Sequence, residues 1–240
     1  MTDHISEYTE GHTVRAYDAE LDRLRTLLLK MGGLVGDQIG LAVDALIEGD
    51  VEMTRTVMQR EEQVNRYDTE AEELVLHILA KRQPMGMDLR VIIAVMRAII
   101  DLERCGDEAK KIAKIARRLV REHDVELAGL GRSARSMATL AMGLLKEVIE
   151  ALDDADTERA VRAAQADAEL DAEYKLALRD VHTRLIEAPA RIEHAADMVI
   201  VIKALERIGD HAKNIAKYVI FIVEGKDVRH VKTSVLDKEL

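Results

Sequence analysis

The chain has 240 residues, 48% apolar and 33% charged, with 2% aromatics and only two prolines, a palette of long helices that argues against a β-rich fold. A formal charge of −10 opposes nucleic-acid phosphates and anionic lipid, so neither is expected as a primary partner. A single cysteine, Cys105, excludes an internal disulfide and suits a reducing cytoplasm.

Apolar periodicity and punctuation predict six helices. The first spans about 16–48 and stops before Gly49-Asp50. Asp50 is expected to cap the second, which ends near 81 ahead of Gln83-Pro84. Asp88 is expected to cap the third, reaching about 123, and Gly129 and Gly131 to break the chain. Ser133 is then expected to cap the fourth, which ends near 153. Asp156 or Thr157 opens the fifth, to about 187. Pro189 falls in the first turn of the sixth, which ends near 224 with Gly225 as its stop. No signal-peptide core is visible, and apolar runs such as 91–96 and 218–223 are too short to span a membrane, so a soluble cytoplasmic protein is expected.

The two halves repeat. Ala45-Leu46 aligns with Ala151-Leu152, Met31 with Met137 and Gln59 with Gln165, all at an offset of 106 residues. Leu102-Glu103-Arg104 aligns with Leu205-Glu206-Arg207 at an offset of 103, the difference falling in the 82–87 loop. The expected fold is all-α, two tandem three-helix bundles of antiparallel helices, with domains at 1–125 and 126–240.

Each third helix carries Glu-Arg-x-Gly-Asp. At about 100° per residue, Ala195, Val199 and Ile202 point within about 40° of Glu206, and Asp210 lies about 40° away. Ile92, Met96 and Ile99 stand in the same relation to Glu103, with Asp107 at the same angle. On the fifth helix Asp167 and Asp171 share a face with Ala160, Tyr174, Val181 and Leu185. On the second, Glu61, Asn65, Asp68 and Glu72 share one with Val57, Val75 and Leu79. Carboxylates on an apolar face are costly to bury unless a positive charge meets them. Arg104, Arg207, Lys110 and Lys213 could do so at the bundle rim, or a hard cation could collect several oxygens from two helices. Glu193 and Asp197 have the same spacing but point about 140–180° away from Glu206, and are expected to be solvated. His211 is expected at the surface, Cys105 as a small core hydrophobe, and Gly106 and Gly209 as room for close approach. No basic patch, Glu-x-x-His di-iron pattern, phosphate-cradling loop or nucleophile–base pair is visible.

At these residues the chain resembles the PhoU family, the phosphate-specific transport system accessory proteins of bacteria. The resemblance rests on Met31-Gly-Gly-Leu-Val35, Lys81-Arg-Gln-Pro84 with Asp88-Leu-Arg90, the two Glu-Arg-x-Gly-Asp blocks, and the tail from Glu224 to Val231. It implies a non-enzymatic negative regulator of the phosphate-starvation response. Such a regulator couples the ATPase subunit of the phosphate ABC transporter to a sensor histidine kinase, and is a homodimer that reaches the inner face of the membrane only through partners. It also implies metal binding (iron, zinc, manganese or magnesium) at Glu103, Asp107, Glu206, Asp210, Asp167, Asp171 and Glu61, with Asn65 in place of a last carboxylate and Asp68 and Glu72 as its substitutes. The second half has the complete set of acids and is the first place to expect metal. The alternatives are a metal-dependent phosphoesterase using the same carboxylates, and a metal-free helical scaffold.

Overall fold

The computed structural model describes residues 15–121, 128–231 and 233–238. They form six long α-helices: α1 (Arg15–Glu48), α2 (Val51–Arg82), α3 (Gly86–Arg121), α4 (Ala128–Asp153), α5 (Thr157–Glu187) and α6 (Ile192–Glu224). Short 3₁₀ turns at Pro189–Arg191 and Thr233–Lys238 complete them. The expected end of the third helix at His123 and the domain boundary at 125/126 lie outside the described residues.

Local chemistry explains most of the ends. Asp50 accepts the Glu52 and Met53 amides at 2.7 and 3.2 Å, and Asp156 accepts the Arg159 amide at 2.8 Å. Gly225 closes α6 in the left-handed region at φ 70°. Three expectations fail. Gly129, Gly131 and Ser133 lie inside α4, where Gly131 packs against Ile47, and the Ser133 hydroxyl faces Asp180 at 3.5 Å. Tertiary packing thus overrides two weak helix residues. Asp88 lies within the first turn of α3, where it accepts the Tyr17 hydroxyl at 3.1 Å.

The repeat is carried into the backbone. Gly49 (φ 68°) and Ala155 (φ 50°) are equivalent residues at the offset of 106, and both turn the chain through the left-handed region. An L side chain there costs about 1–2 kcal/mol. Ala155→Gly is therefore expected to stabilise the protein by about 0.5 kcal/mol after the added unfolded-chain freedom is deducted, measured as a raised urea midpoint with an unchanged slope.

Helices α1, α2 and α3 pack on one another, as do α4, α5 and α6, giving the two expected three-helix bundles. The bundles are joined through α3 against α6 and α1 against α4, so their cores merge into one. That core is aliphatic: Leu24, Leu28, Met31, Ile39, Ile92, Ile112, Met137, Leu145, Leu152, Leu205 and Ile215 are essentially without exposure. The repeat partners Met31 and Met137 are both fully buried. Helix α1 is long and apolar enough to cross a membrane by length and composition, contrary to the expectation from short apolar runs, but half of that window is buried inside the protein. Its stripe of Leu21, Leu24, Leu28, Met31, Val35 and Ile39 is already spent on the core. Arg25 and Asp153 clamp α1 to α4 with contacts of 2.5 and 2.9 Å.

Candidate metal-binding seams

The acids of the first half meet between α2 and α3. Glu61 replaces an apolar residue on the Val57–Val64–Ala71 stripe of α2 and is buried with it. Its carboxylate accepts Lys110 Nζ at 3.3 Å and Gln38 Nε2 at 2.9 Å. Lys110 also donates to Asp107 at 3.2 Å, so one ammonium bridges carboxylates of two helices. Glu103 is half-buried beside them, and the exposed Arg104 lies 3.5 Å from it. Burial first, and then Asp107, Asp68 and Glu61, push the Glu103 carboxyl above its ordinary value. Asp68 is likewise raised, by burial and by Glu72.

Between α5 and α6 the pattern recurs. Lys213 Nζ donates to Asp167 at 2.5 Å and to Asp210 at 2.7 Å. Burial pushes the Asp167 carboxyl up, opposed by Lys213, while Asp171 and Asp210 add like charge. The lysine is held well above its usual range, its two carboxylates outweighing its burial. Glu206 is taken by a second lysine: Lys203 donates to both of its oxygens, at 2.7 and 2.6 Å, and lies 5.4 Å from the centre of the Tyr174 ring.

Two substitutions separate the seams. Lys203 corresponds to Ile100 in the first half, and Tyr174 corresponds to Asp68. The first half therefore gains a carboxylate where the second has a phenol, and lacks the lysine that neutralises Glu206. The second half does have four acids, as the sequence suggests, but its charge is the better compensated. Less positive charge of the chain itself therefore stands against the acids of the first half.

All eight expected ligands lie on these seams, along the margins of the apolar stripes rather than at their centres. Asp167 and Glu61 are buried, the acids of α3 and α6 are half-buried, and Asn65 and Glu72 are exposed. Among the described residues no three His, Cys, Asp or Glu side chains are close enough, as they stand, to hold one metal ion. The ammonium groups of Lys110 and Lys213 stand where the carboxylates converge. The donor set nonetheless suits a hard cation, with oxygens from two helices around one positive charge. Both buried carboxylates lie close against a glycine of the neighbouring helix. A Cβ on Gly106 would come within 3.0 Å of Glu61 Oε2, and one on Gly209 within 2.9 Å of Asp167 Oδ1.

Gln38 is a member of the first seam that sequence reasoning missed. It donates to Glu61 and to the Gly106 carbonyl (3.3 Å), and its own Oε1 has no hydrogen-bond partner. The signal was available, since Gln38 follows Met31 and Val35 on the buried face of α1, where its second-half equivalent is Leu144.

The contact between α3 and α6 overturns two expectations. Asp197 is buried and pairs with Arg118 of α3, although its companion Glu193 is exposed as expected. His211 is largely buried, its Nδ1 2.7 Å from Asp101 Oδ1. Asp101 also accepts the Tyr218 hydroxyl at 2.8 Å and Asn214 Nδ2 at 3.4 Å. Burial and this carboxylate push the Tyr218 hydroxyl well above its ordinary value. Both errors share one cause. Helix angles distinguish the face toward one's own bundle, whereas α3 and α6 each bury a second face against the other. Cys105 is fully buried at that crossing, 4.0 Å from the Ile208 carbonyl, and burial raises its thiol pKa, as suits an inert core residue.

Two bundles of three helices, each with a carboxylate seam between its second and third helices, define a tandem helical-repeat protein. The profile of the PhoU domain matches this chain twice, over residues 28–116 and 134–219. The chain belongs to the PhoU family. It is 38% identical over 245 residues to a phosphate-specific transport system accessory protein PhoU homolog of Pseudomonas aeruginosa, covering 100% of this chain and 95% of that one. To the accessory protein PhoU of Escherichia coli it is 33% identical over 233 residues, covering 95% and 94% of the two chains. The crystal structure of PhoU from Pseudomonas aeruginosa superposes with a TM-score of 0.83 at 38% identity, over 88% of this chain and all of that one. The phosphate transport system regulatory protein PhoU from Streptococcus pneumoniae gives 0.78 at 26% identity, over 88% and 98%.

Proposed function

We propose that this protein is a non-enzymatic regulator of phosphate uptake in the cytoplasm. It links the ATPase subunit of a phosphate ABC transporter to a sensor histidine kinase and restrains the starvation response when phosphate is plentiful. The observation that supports this is end-to-end similarity, through both repeats, to proteins named as accessory to phosphate-specific transport. The tagged chain, expressed with the transporter, is expected to retain the ATPase subunit and the kinase on affinity purification. Its deletion is expected to switch on a phosphate-starvation reporter in phosphate-rich medium. Repressed reporter output in the deletion strain would overturn the regulatory role, and light scattering tests the homodimer.

The seams are read as metal sites of this regulator. Glu61, Asp68, Glu103 and Asp107 would hold a cation in the first half, and Asp167, Asp171, Glu206 and Asp210 in the second. Such an ion supplies charge neutralisation that ties α2 to α3 and α5 to α6, replacing Lys110 and Lys213 among the carboxylates. Iron, zinc, manganese and magnesium all accept oxygen ligands of this kind. Elemental analysis of the purified protein is expected to show bound metal that falls in Glu103→Ala/Asp107→Ala and, to a smaller extent, in Glu206→Ala/Asp210→Ala. Equal content in parent and both variants would remove these residues as ligands. A parent that takes up no metal on reconstitution would leave the lysine-bridged scaffold as the working state.

A further inference from the structure

On a chain of formal charge −10, one groove runs against the average. Beside the crossing of α3 and α6 a cavity of about 310 Å³ is lined by five cations, Arg104, Lys110, Lys111, Lys114 and Arg207, and by two acids, Asp107 and Glu108. Arg104 and Lys110 are drawn toward the first seam, by Glu103 and Glu61 respectively. Lys111 and Arg207 share one buried carboxylate, Glu108, at 2.5 and 3.1 Å. Lys114 is exposed and, among the described residues, forms no ion pair. Asp107 is paired with Lys110, which leaves Glu108 as the one acid of the lining beside Lys111, Lys114 and Arg207.

The repeat shows what this place holds when it is satisfied from within. At the offset of 103, Glu108, Lys111 and Lys114 correspond to His211, Asn214 and Lys217, and Ala204 corresponds to Asp101. In the second half the Asp101 carboxylate lies against His211 and Asn214, at 2.7 and 3.4 Å. Lys217 is buried and donates to the Arg229 carbonyl of the C-terminal tail at 2.9 Å. Those donors are met by acceptors of the chain itself. Ala204, the equivalent of Asp101, brings no carboxylate to the first half, and Lys114, unlike Lys217, stands in solvent.

We propose that this groove, walled by Lys111, Lys114 and Arg207, binds a phosphate-bearing anion. A guanidinium fork and two ammonium groups within one small concavity suit a compact oxyanion with more than one charge better than a single carboxylate. The volume is that of about ten waters at roughly 30 Å³ each, enough for a phosphate or a short phosphate chain. The groove borders the first seam, with Asp107 and Lys110 in both linings, but Lys111, Lys114 and Arg207 belong to neither seam, and the anion reading needs no bound metal and no partner.

The test is calorimetric titration of the full chain, in the presence of EDTA, with inorganic phosphate, tripolyphosphate and ATP. Saturable binding of at least one of them is expected, and Lys114→Glu weakens it at least about tenfold, the change for losing one charge-assisted contact. Lys146→Glu alters net charge equally on an exposed residue of α4 and is expected to leave the affinity unchanged. The three ligands separate the sources: phosphate alone marks the free ion, tripolyphosphate without phosphate a phosphate chain, and ATP above tripolyphosphate a nucleotide. Equal weakening by the two variants, an unaltered affinity in Lys114→Glu, or no binding of any of the three up to about 10 mM overturns the proposal.

Discussion

Asp101→Ala is expected to lower the stability of the folded chain by about 3 kcal/mol, because the variant strips an acceptor from a buried cluster while leaving its donors in place. Asp101 accepts the Tyr218 hydroxyl and Asn214 and lies against His211, in the contact that joins the two bundles. The Tyr218 hydroxyl has no water as a ready substitute, since Tyr218 and Asp101 are both buried. Urea unfolding monitored by circular dichroism measures the loss. A double-mutant cycle with Tyr218→Phe isolates one bond and is expected to return a coupling of about 1 kcal/mol. A loss below about 0.5 kcal/mol, the level of an ordinary surface substitution, would show that the cluster does not hold the bundles together.

The second large effect is expected at Gly209, where Gly209→Ala costs about 2 kcal/mol through overpacking. The added methyl would collide with Leu170 Cδ2 and come within 2.9 Å of Asp167 Oδ1. Leu170 has no exposure, so either its side chain leaves its packed position in the core or α5 and α6 separate. Alanine is the better helix former by about 1 kcal/mol, which makes the sign of the result diagnostic. Gly33→Ala is the control, because a Cβ there meets nothing within 4 Å and helix propensity alone acts. Stabilisation by both substitutions would contradict close approach at the second seam.

Much of the fold was legible because its signals are local. The caps at Asp50 and Asp156, the stop at Gly225 and the stripe from Leu24 through Ile39 each depend on neighbours within a turn or two. The expected breaks at Gly129 and Gly131 failed because packing against α1 can outweigh about 1 kcal/mol of unfavourable propensity. The position of the carboxylates on their helices was readable from 3.6-residue periodicity, and so was their gathering on two seams. Lys110 and Lys213 were also legible as candidate partners, but not the acids they reach. Lys110 and Lys213 follow Asp107 and Asp210 by three residues, and nothing in that spacing says that their ammonium groups cross to Glu61 and Asp167 on another helix.

The sequence by itself determined a helical tandem repeat with acids placed on the inner margins of its second and third helices, and on those motifs its resemblance to the PhoU family. These follow from residue order and helical pitch alone. Only the tertiary structure decided how the two halves meet, because α3 and α6 each have two buried faces and a periodicity reports one. From that contact came the burial of Asp197 and His211, the Asp101 cluster, and the basic groove beside Lys114.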